Sequence, residues 1–199
     1  MSVSEHYFAQ LFAASDDPWQ FRSRWYEQRK RDLILSCLPR QRYGRVFEPA
    51  CANGELSAAL ACRCDALLCQ DGDPTAVRLA RTRLGDLPHA VVEQGRLPTT
   101  WPAGPFDLIV LGEIGYYLSA CDWRQVIAQA LDSLAPGGEV LACHWLAPIA
   151  GCEQDGSQVH ALLERHLPLH RVVRHEEAQF LLELWSPEPC VVNLQETCL

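Results

Sequence analysis

Arg171-Val172-Val173-Arg174-His175-Glu176-Glu177-Ala178-Gln179-Phe180-Leu181-Leu182-Glu183-Leu184-Trp185 holds two strand candidates, Arg171 to Val173 and Phe180 to Trp185, with only a polar turn around Glu176-Glu177 between them. Parallel neighbours need a connection of about a dozen residues or more, so these two must pair antiparallel. Upstream the chain alternates. Glu139 to Trp145 reads as a strand, and Phe106 to Leu111, apolar on both faces, as a central strand of a covered sheet. Ala90 to Glu93, Ala66 to Gln70 and Arg45 to Glu48 are three shorter strands. Between them lie helical periods: Gly54 to Arg63, a helix capped by Asp73-Pro74 and stopped at Gly85, and a helix capped by Asp122. In the last, Trp123, Val126, Ile127, Ala130, Leu131 and Leu134 share one face until Pro136-Gly137-Gly138 ends it. The expectation is an α/β three-layer sandwich: a seven-stranded, mostly parallel sheet whose last two strands form an antiparallel hairpin.

The N-terminal segment follows a different rule. Tyr7, Phe8, Leu11 and Phe12 form a short amphipathic stripe, and Asp16-Asp17-Pro18 offers a cap with proline at the first helical position. Trp19 to Leu38 contains no Gly or Pro and predicts one bent helix, with Tyr26, Leu33, Ile34, Cys37 and Leu38 on its apolar stripe. One domain is expected: a helical cap over 1–40, the sheet core over 45–186 and a tail over 187–199.

At 199 residues, 48% hydrophobic and 21% charged, the chain suits a single core. A net charge of -8 repels a phosphate backbone and argues against nucleic acid as a partner. No run approaches the ~18 apolar residues of a membrane span, and Met-Ser-Val-Ser-Glu-His lacks the basic-then-apolar order of a secretory signal, so a cytoplasmic location is expected. Cations concentrate between Arg22 and Arg45, opposed there only by Glu27 and Asp32, either as a solvated helix face or as a basic wall near a carboxylate or phosphate. Ten cysteines are scattered rather than framed by turns and read as reduced thiols. Cys62-Arg63-Cys64 with Cys69 lacks the repeated pair spacing of a zinc site, so no metal is expected.

In an open α/β sheet the ligand sits beyond the carboxyl ends of the strands. The loop Glu48-Pro49-Ala50-Cys51-Ala52-Asn53-Gly54 is a small-residue turn opening a helix, where a ligand can approach the backbone. Asp71 ends the second strand and can accept hydrogen bonds from both ribose hydroxyls, which suggests an adenosine-containing ligand; Asp73, by contrast, reads as a helix cap. Gln94-Gly95-Arg96-Leu97-Pro98 lies where backbone amides and Leu97 can frame an adenine edge. A dinucleotide and S-adenosylmethionine both fit the turn and the ribose acid. Glu48 favours the second, because a carboxylate there opposes a pyrophosphate but suits an ammonium. The Pro136-Gly137-Gly138 turn points the same way or is an ordinary helix stop, and the terminal hairpin is the third discriminator.

On these residues the sequence resembles the class I S-adenosylmethionine-dependent methyltransferases from about Arg45 to Trp185. It is most similar to the nodulation protein S branch, through Asp17-Pro18-Trp19-Gln20-Phe21-Arg22-Ser23-Arg24-Trp25-Tyr26-Glu27-Gln28-Arg29-Lys30, Tyr116-Tyr117-Leu118 and His144-Trp145. The resemblance implies a Rossmann-like core and N-methylation of an amino sugar or related small amine. The cofactor contacts it implies are Arg22, Tyr26, Glu48, Ala50, Asn53, Gly54, Asp71, Gly72, Gly95, Arg96, Leu97, Gly112 and Tyr117, with Arg22 or Arg29 pairing with the methionine carboxylate. Glu113 and His144, at or just after strand ends, are the candidates to orient the amine or take its proton. Tyr116, Tyr117 and Trp145 either cradle the reacting groups or simply pack. The chain departs from the family turn at Ala50 and Ala52, which replace glycines, and at Gly72, where a larger apolar residue is usual. The expected partner is a small-molecule substrate, with no membrane or nucleic acid, and the chain is expected to be a monomer or homodimer. O- or carboxyl-methyl transfer, a nicotinamide-dependent oxidoreductase and a non-catalytic module of the same fold are the competing readings.

Overall fold

The structure is a computed structural model and describes residues 2–191, 193, 195 and 197. Of the expected tail, residues 192, 194, 196, 198 and 199 lie outside the described residues. Seven strands, β1 (Tyr43–Pro49), β2 (Cys64–Asp71), β3 (Ala90–Gln94), β4 (Phe106–Gly112), β5 (Leu134–Trp145), β6 (His170–Glu176) and β7 (Phe180–Ser186), form one sheet in the order β3-β2-β1-β4-β5-β7-β6. β1 to β5 are parallel; β7 runs antiparallel to both β5 and β6. Chain order reverses at β1, so the crevice beyond β1 and β4 is the switch point of the sheet.

Helices cover both faces. On one side α2 (Trp25–Cys37), α3 (Glu55–Ala61) and α4 (Pro74–Leu84) pack Ile34, Leu60, Val77 and Ala80 against Val46, Leu67, Leu108 and Leu141. On the other, α5 (Ala120–Asp132) and α6 (Gly156–His166) pack Trp123, Ile127, Val159 and Leu163 against Phe47, Ile109, Ala142 and Trp185. The alternation of Val46 with Phe47, and of Leu108 with Ile109, between the two clusters is the period-two pleat with both faces buried. α1 (Glu5–Ala14) sits across the carboxyl ends of the strands, with Phe12 packed on Ala76 and Leu79 of α4.

Four local expectations are corrected. The single helix expected from Trp19 to Leu38 is instead a turn region followed by α2. Asp17 takes the backbone N–H groups of Phe21 (2.8 Å) and Arg22 (3.0 Å) on its carboxylate, and Gln20 adopts a left-handed φ of 61°, so the chain turns where a helix would start. α5 is capped by Ser119, whose hydroxyl accepts from the Asp122 amide; Asp122 lies inside the first turn. Pro136-Gly137-Gly138 does not stop a helix, since α5 ends at Asp132 and β5 begins at Leu134. A bulge between Phe106 and Leu108 lets the β5 segment from Leu134 to Glu139 run past two positions of β4. Finally, α6 was not anticipated, although Asp155 and Gln158 form a reciprocal capping box ahead of Val159 and Leu163.

Candidate active site

A cavity of about 1140 Å³ lies beyond the carboxyl ends of β1 to β5, roofed by α1, the turn around Trp19 and the start of α2. That exceeds the ~300–1,000 Å³ of a pocket for one small ligand. Strands stand roughly 4.8 Å apart, so the tips of β2 and β5, separated by β1 and β4, are about three spacings apart. The cavity has two chemically different halves.

The first half is built at β2 and β3. Asp71 is held by two backbone donors, Ala52 N–H on Oδ2 and Asp73 N–H on Oδ1, both at 2.9 Å. Burial pushes the Asp71 carboxyl up to about 6 against the restraint of those amides. Gly72, Gly95, Arg96 and Leu97 line the same half, and a Cβ added at Gly72 would meet nothing nearer than 3.8 Å. Arg96 is ion-paired to Glu5 of α1, tying the roof to the β3 loop. In the first loop Ala50 (φ 56°), Ala52 (φ 48°) and Gly54 (φ 80°) are all left-handed. The backbone therefore keeps the turn that glycines would adopt freely, at a cost of about 1–2 kcal/mol for each alanine. Ala50 and Ala52 line the cavity.

The second half lies beyond β4 and β5 and is ionic and aromatic. Lys30 of α2, 5% exposed, places Nζ 2.5 Å from Glu113 Oε1 and 2.9 Å from Glu27 Oε2. Burial opposes the ammonium charge, but the two carboxylates outweigh it and hold the Lys30 pKa above its usual range. Glu113 is also bonded through Oε2 to the Tyr116 hydroxyl and to the Trp145 N–H at 3.0 Å. Its φ of 51° turns the chain sharply off β4 and swings this side chain toward α2. Tyr26, Glu27, Tyr116, Tyr117 and Trp145 complete the lining. Buried among them, the Tyr26 hydroxyl has no hydrogen-bond partner among the described residues.

Of the residues expected at the site, Tyr26, Ala50, Asp71, Gly72, Gly95, Arg96, Leu97, Glu113 and Tyr117 therefore line the cavity, and six do not. Glu48 points under the first loop onto α3, where Ser57 Oγ donates to it at 2.5 Å, and burial raises its pKa to about 7. Side chains alternate along a strand, and this one shares the α3 face with Val46. Arg22 reaches Glu55 at 3.5 Å, and Arg29, the alternative, is spent on a bidentate pair with Glu177 at 2.6 and 2.8 Å. Asn53 donates to Asp17 at 2.9 Å, Gly54 caps α3, and Gly112 ends β4; none of them reaches the cavity.

His144 is the sixth and is a correction with a definite cause. It is fully buried on the α6 side of β5, and its Nε2 accepts the Gly115 N–H at 3.1 Å. Its Nδ1 lies 3.2 Å from His160 Nε2, and His160 Nδ1 lies 2.7 Å from Glu183 Oε2. Since Gly115 can only donate, His144 must carry its proton on Nδ1 and pass a hydrogen bond to His160, which passes one to Glu183. Arg174 (2.5 Å) and Arg171 (3.0 Å) complete the Glu183 carboxylate. Burial above all holds His144 neutral, well below its usual pKa. The imidazole supports the Gly115–Tyr117 turn and does not face the cavity.

Sequence reasoning gave Lys30 and Glu27 no role, although both lie in the cap segment that carries the family resemblance; composition was a second signal, since Lys30 is the only lysine of the chain, beside sixteen arginines among 17 basic residues.

The fold defines a class: the sheet order with its reversed seventh strand is that of the methyltransferase fold. The N-methyltransferase NodS of Bradyrhizobium japonicum WM9, solved with S-adenosyl-L-homocysteine, superposes with a TM-score of 0.78 at 26% identity, over 91% of this chain and 98% of that one. The chain belongs to the Nodulation protein S (NodS) family, whose model matches residues 5–144. A crystal structure from Pseudomonas syringae provisionally described as a methyltransferase is 55% identical, with a TM-score of 0.74 over 82% of this chain and 99% of that one. Nodulation protein S of Rhizobium tropici is 29% identical over 130 residues, or 64% of this chain. The chain spans 55 to 65% of the length of the curated relatives it matches.

Proposed function

We propose that this protein transfers a methyl group from S-adenosylmethionine to the nitrogen of a small amine. The observation that carries the reading is the division of one cavity between a half-buried carboxylate, Asp71, at β2 and an ionic, aromatic cluster at β4 and β5. The residues present fit the cofactor. Asp71 offers carboxylate oxygens on the cavity wall to a vicinal diol, Gly72 leaves open space beside it, and Leu97 offers an apolar wall. When bound, S-adenosylmethionine would supply an electrophilic methyl on a sulfonium. The chain's contribution is positioning and exclusion of water. α1 and the Trp19 turn cover the cavity, while Tyr26, Tyr116 and Trp145 offer ring faces and edges to a cation. In the second half the carboxylates of Glu27 and Glu113 lie beside Lys30, with Arg24 also on the cavity wall, and the two carboxylates can receive an ammonium acceptor. The family's N-methyltransferase member supports the same choice.

Calorimetry with S-adenosylhomocysteine and with NAD, followed by labelled-methyl transfer to panels of amines, phenols and carboxylates, tests the reading. Heat with the first ligand alone and label on amines is the expected result. Binding of NAD, or label only on oxygen, would overturn it.

A further inference from the structure

We infer that Glu27 is the residue that receives the proton of the acceptor amine, and that Lys30 is the positioning residue that holds it there; this rests on the methyl-transfer reading above. The assignment follows from counting hydrogen-bond capacity among the groups near the β4 and β5 tips. Glu113 accepts from Lys30, from the Tyr116 hydroxyl and from the Trp145 amide, so three of its roughly four lone-pair sites are filled by protein donors. A carboxylate tied in this way is a structural acceptor. His144 has its only unprotonated nitrogen committed to the Gly115 amide and lies behind the turn. Glu27 differs from both: it lines the cavity, it is 7% exposed, and Lys30 at 2.9 Å is its single side-chain partner among the described residues. Its remaining lone pairs are available to a ligand.

Its environment also favours receiving a proton. Burial raises the Glu27 carboxyl above its usual range, and the opposing pull of Lys30 does not cancel that rise. The Tyr26 hydroxyl, one residue earlier, buried and unpartnered among the described residues, is placed to bond a polar atom of the same ligand. The step balances without another reagent. An N–H bond of the incoming ammonium breaks, an O–H bond forms on Glu27, and the electron pair stays on nitrogen, leaving a neutral amine ready to attack. Lys30 remains protonated throughout, its charge shared with Glu113.

Infrared difference spectroscopy tests this on the full chain saturated with S-adenosylhomocysteine, titrated with 2-aminoethanol, benzylamine and cyclohexylamine. The expected result is a protonated-carboxyl band on amine addition in the wild type and in Glu113→Gln that is absent in Glu27→Gln. In methyl-transfer assays Glu27→Gln should lose about 10²- to 10⁴-fold in kcat/KM with S-adenosylhomocysteine affinity within about twofold, while Glu27→Asp, which keeps the charge, restores part of the rate. A band that persists in Glu27→Gln, no band in the wild type, or an unchanged Glu27→Gln rate would each overturn the inference while leaving cofactor binding intact. Failure of the wild type to bind S-adenosylhomocysteine would sink the methyl-transfer reading and this inference together.

Discussion

Lys30 Nζ and Glu113 Oε1 lie 2.5 Å apart and join the N-terminal cap to the tip of β4, 83 positions later in the chain. Two elements with no shared strand or turn are thereby fixed to each other across the floor of the cavity. The pair is well shielded on the lysine side, where only 6% of the side chain is exposed.

Removing the cation should be costly. Lys30→Met leaves Glu27 and Glu113 facing each other without a counter-charge, and breaking a buried pair typically costs about 3–5 kcal/mol. A urea titration of both proteins checks this; a variant with an unshifted midpoint would show that water reaches the cluster freely.

Asp71→Ala should weaken S-adenosylhomocysteine binding by roughly 1–3 kcal/mol, because the acid supplies the carboxylate on the wall of the β2 half and its loss also frees the Ala52 and Asp73 amides. Calorimetry reads the change directly. Equal affinity in the two proteins would remove Asp71 from the binding site.

Glu48 makes stability depend on pH in an unusual sense. The folded protein keeps this proton up to about pH 7, whereas an unperturbed glutamate releases it near 4.5. Between those values the folded state binds more protons than the unfolded chain, so this group's contribution to stability falls as pH rises. Glu48→Gln, which can still accept from Ser57, should therefore raise the melting temperature at pH 8 and leave it nearly unchanged at pH 4. The gain is bounded at about 3 kcal/mol by the size of the shift. A melting temperature that is lower at both pH values would reject the assignment.

The imidazole relay predicts an NMR signature. His144 should be neutral with its proton on Nδ1 across the physiological range, as read from its ring nitrogen shifts. His160→Ala removes the acceptor for that proton and a donor to Glu183, destabilising the fold by roughly 1–3 kcal/mol and loosening the turn that carries Tyr116 and Tyr117. Methyl-transfer rate should fall more than cofactor affinity. An Nε2-protonated His144 in the wild type would refute the relay.

The sheet was legible because its signals are local: continuous apolar runs such as Phe106 to Leu111, and a hairpin too short to hide a helix. Asp71 was legible for the same reason, as the residue on which a strand ends. What failed was direction. Glu48 and His144 stand at strand ends as expected, yet the pleat sends one onto α3 and the other onto α6, and an alternation of faces cannot be assigned before the layers are known. The helix expected from Trp19 failed because Asp17 can cap a turn as well as a helix. Lys30 and Glu27 close the cap segment that carries the family resemblance, but their role comes from a contact with Glu113 that only tertiary structure creates.

With its sole lysine enclosed between α2 and β4, the chain offers a lysine-specific endoprotease a single cleavable bond, Lys30–Arg31, and that bond is shielded for as long as the cap stays seated. The rate of that one cut measures how often the roof lifts, and its slowing on addition of a nucleoside or an amine would report ligand closure without any label or engineered probe.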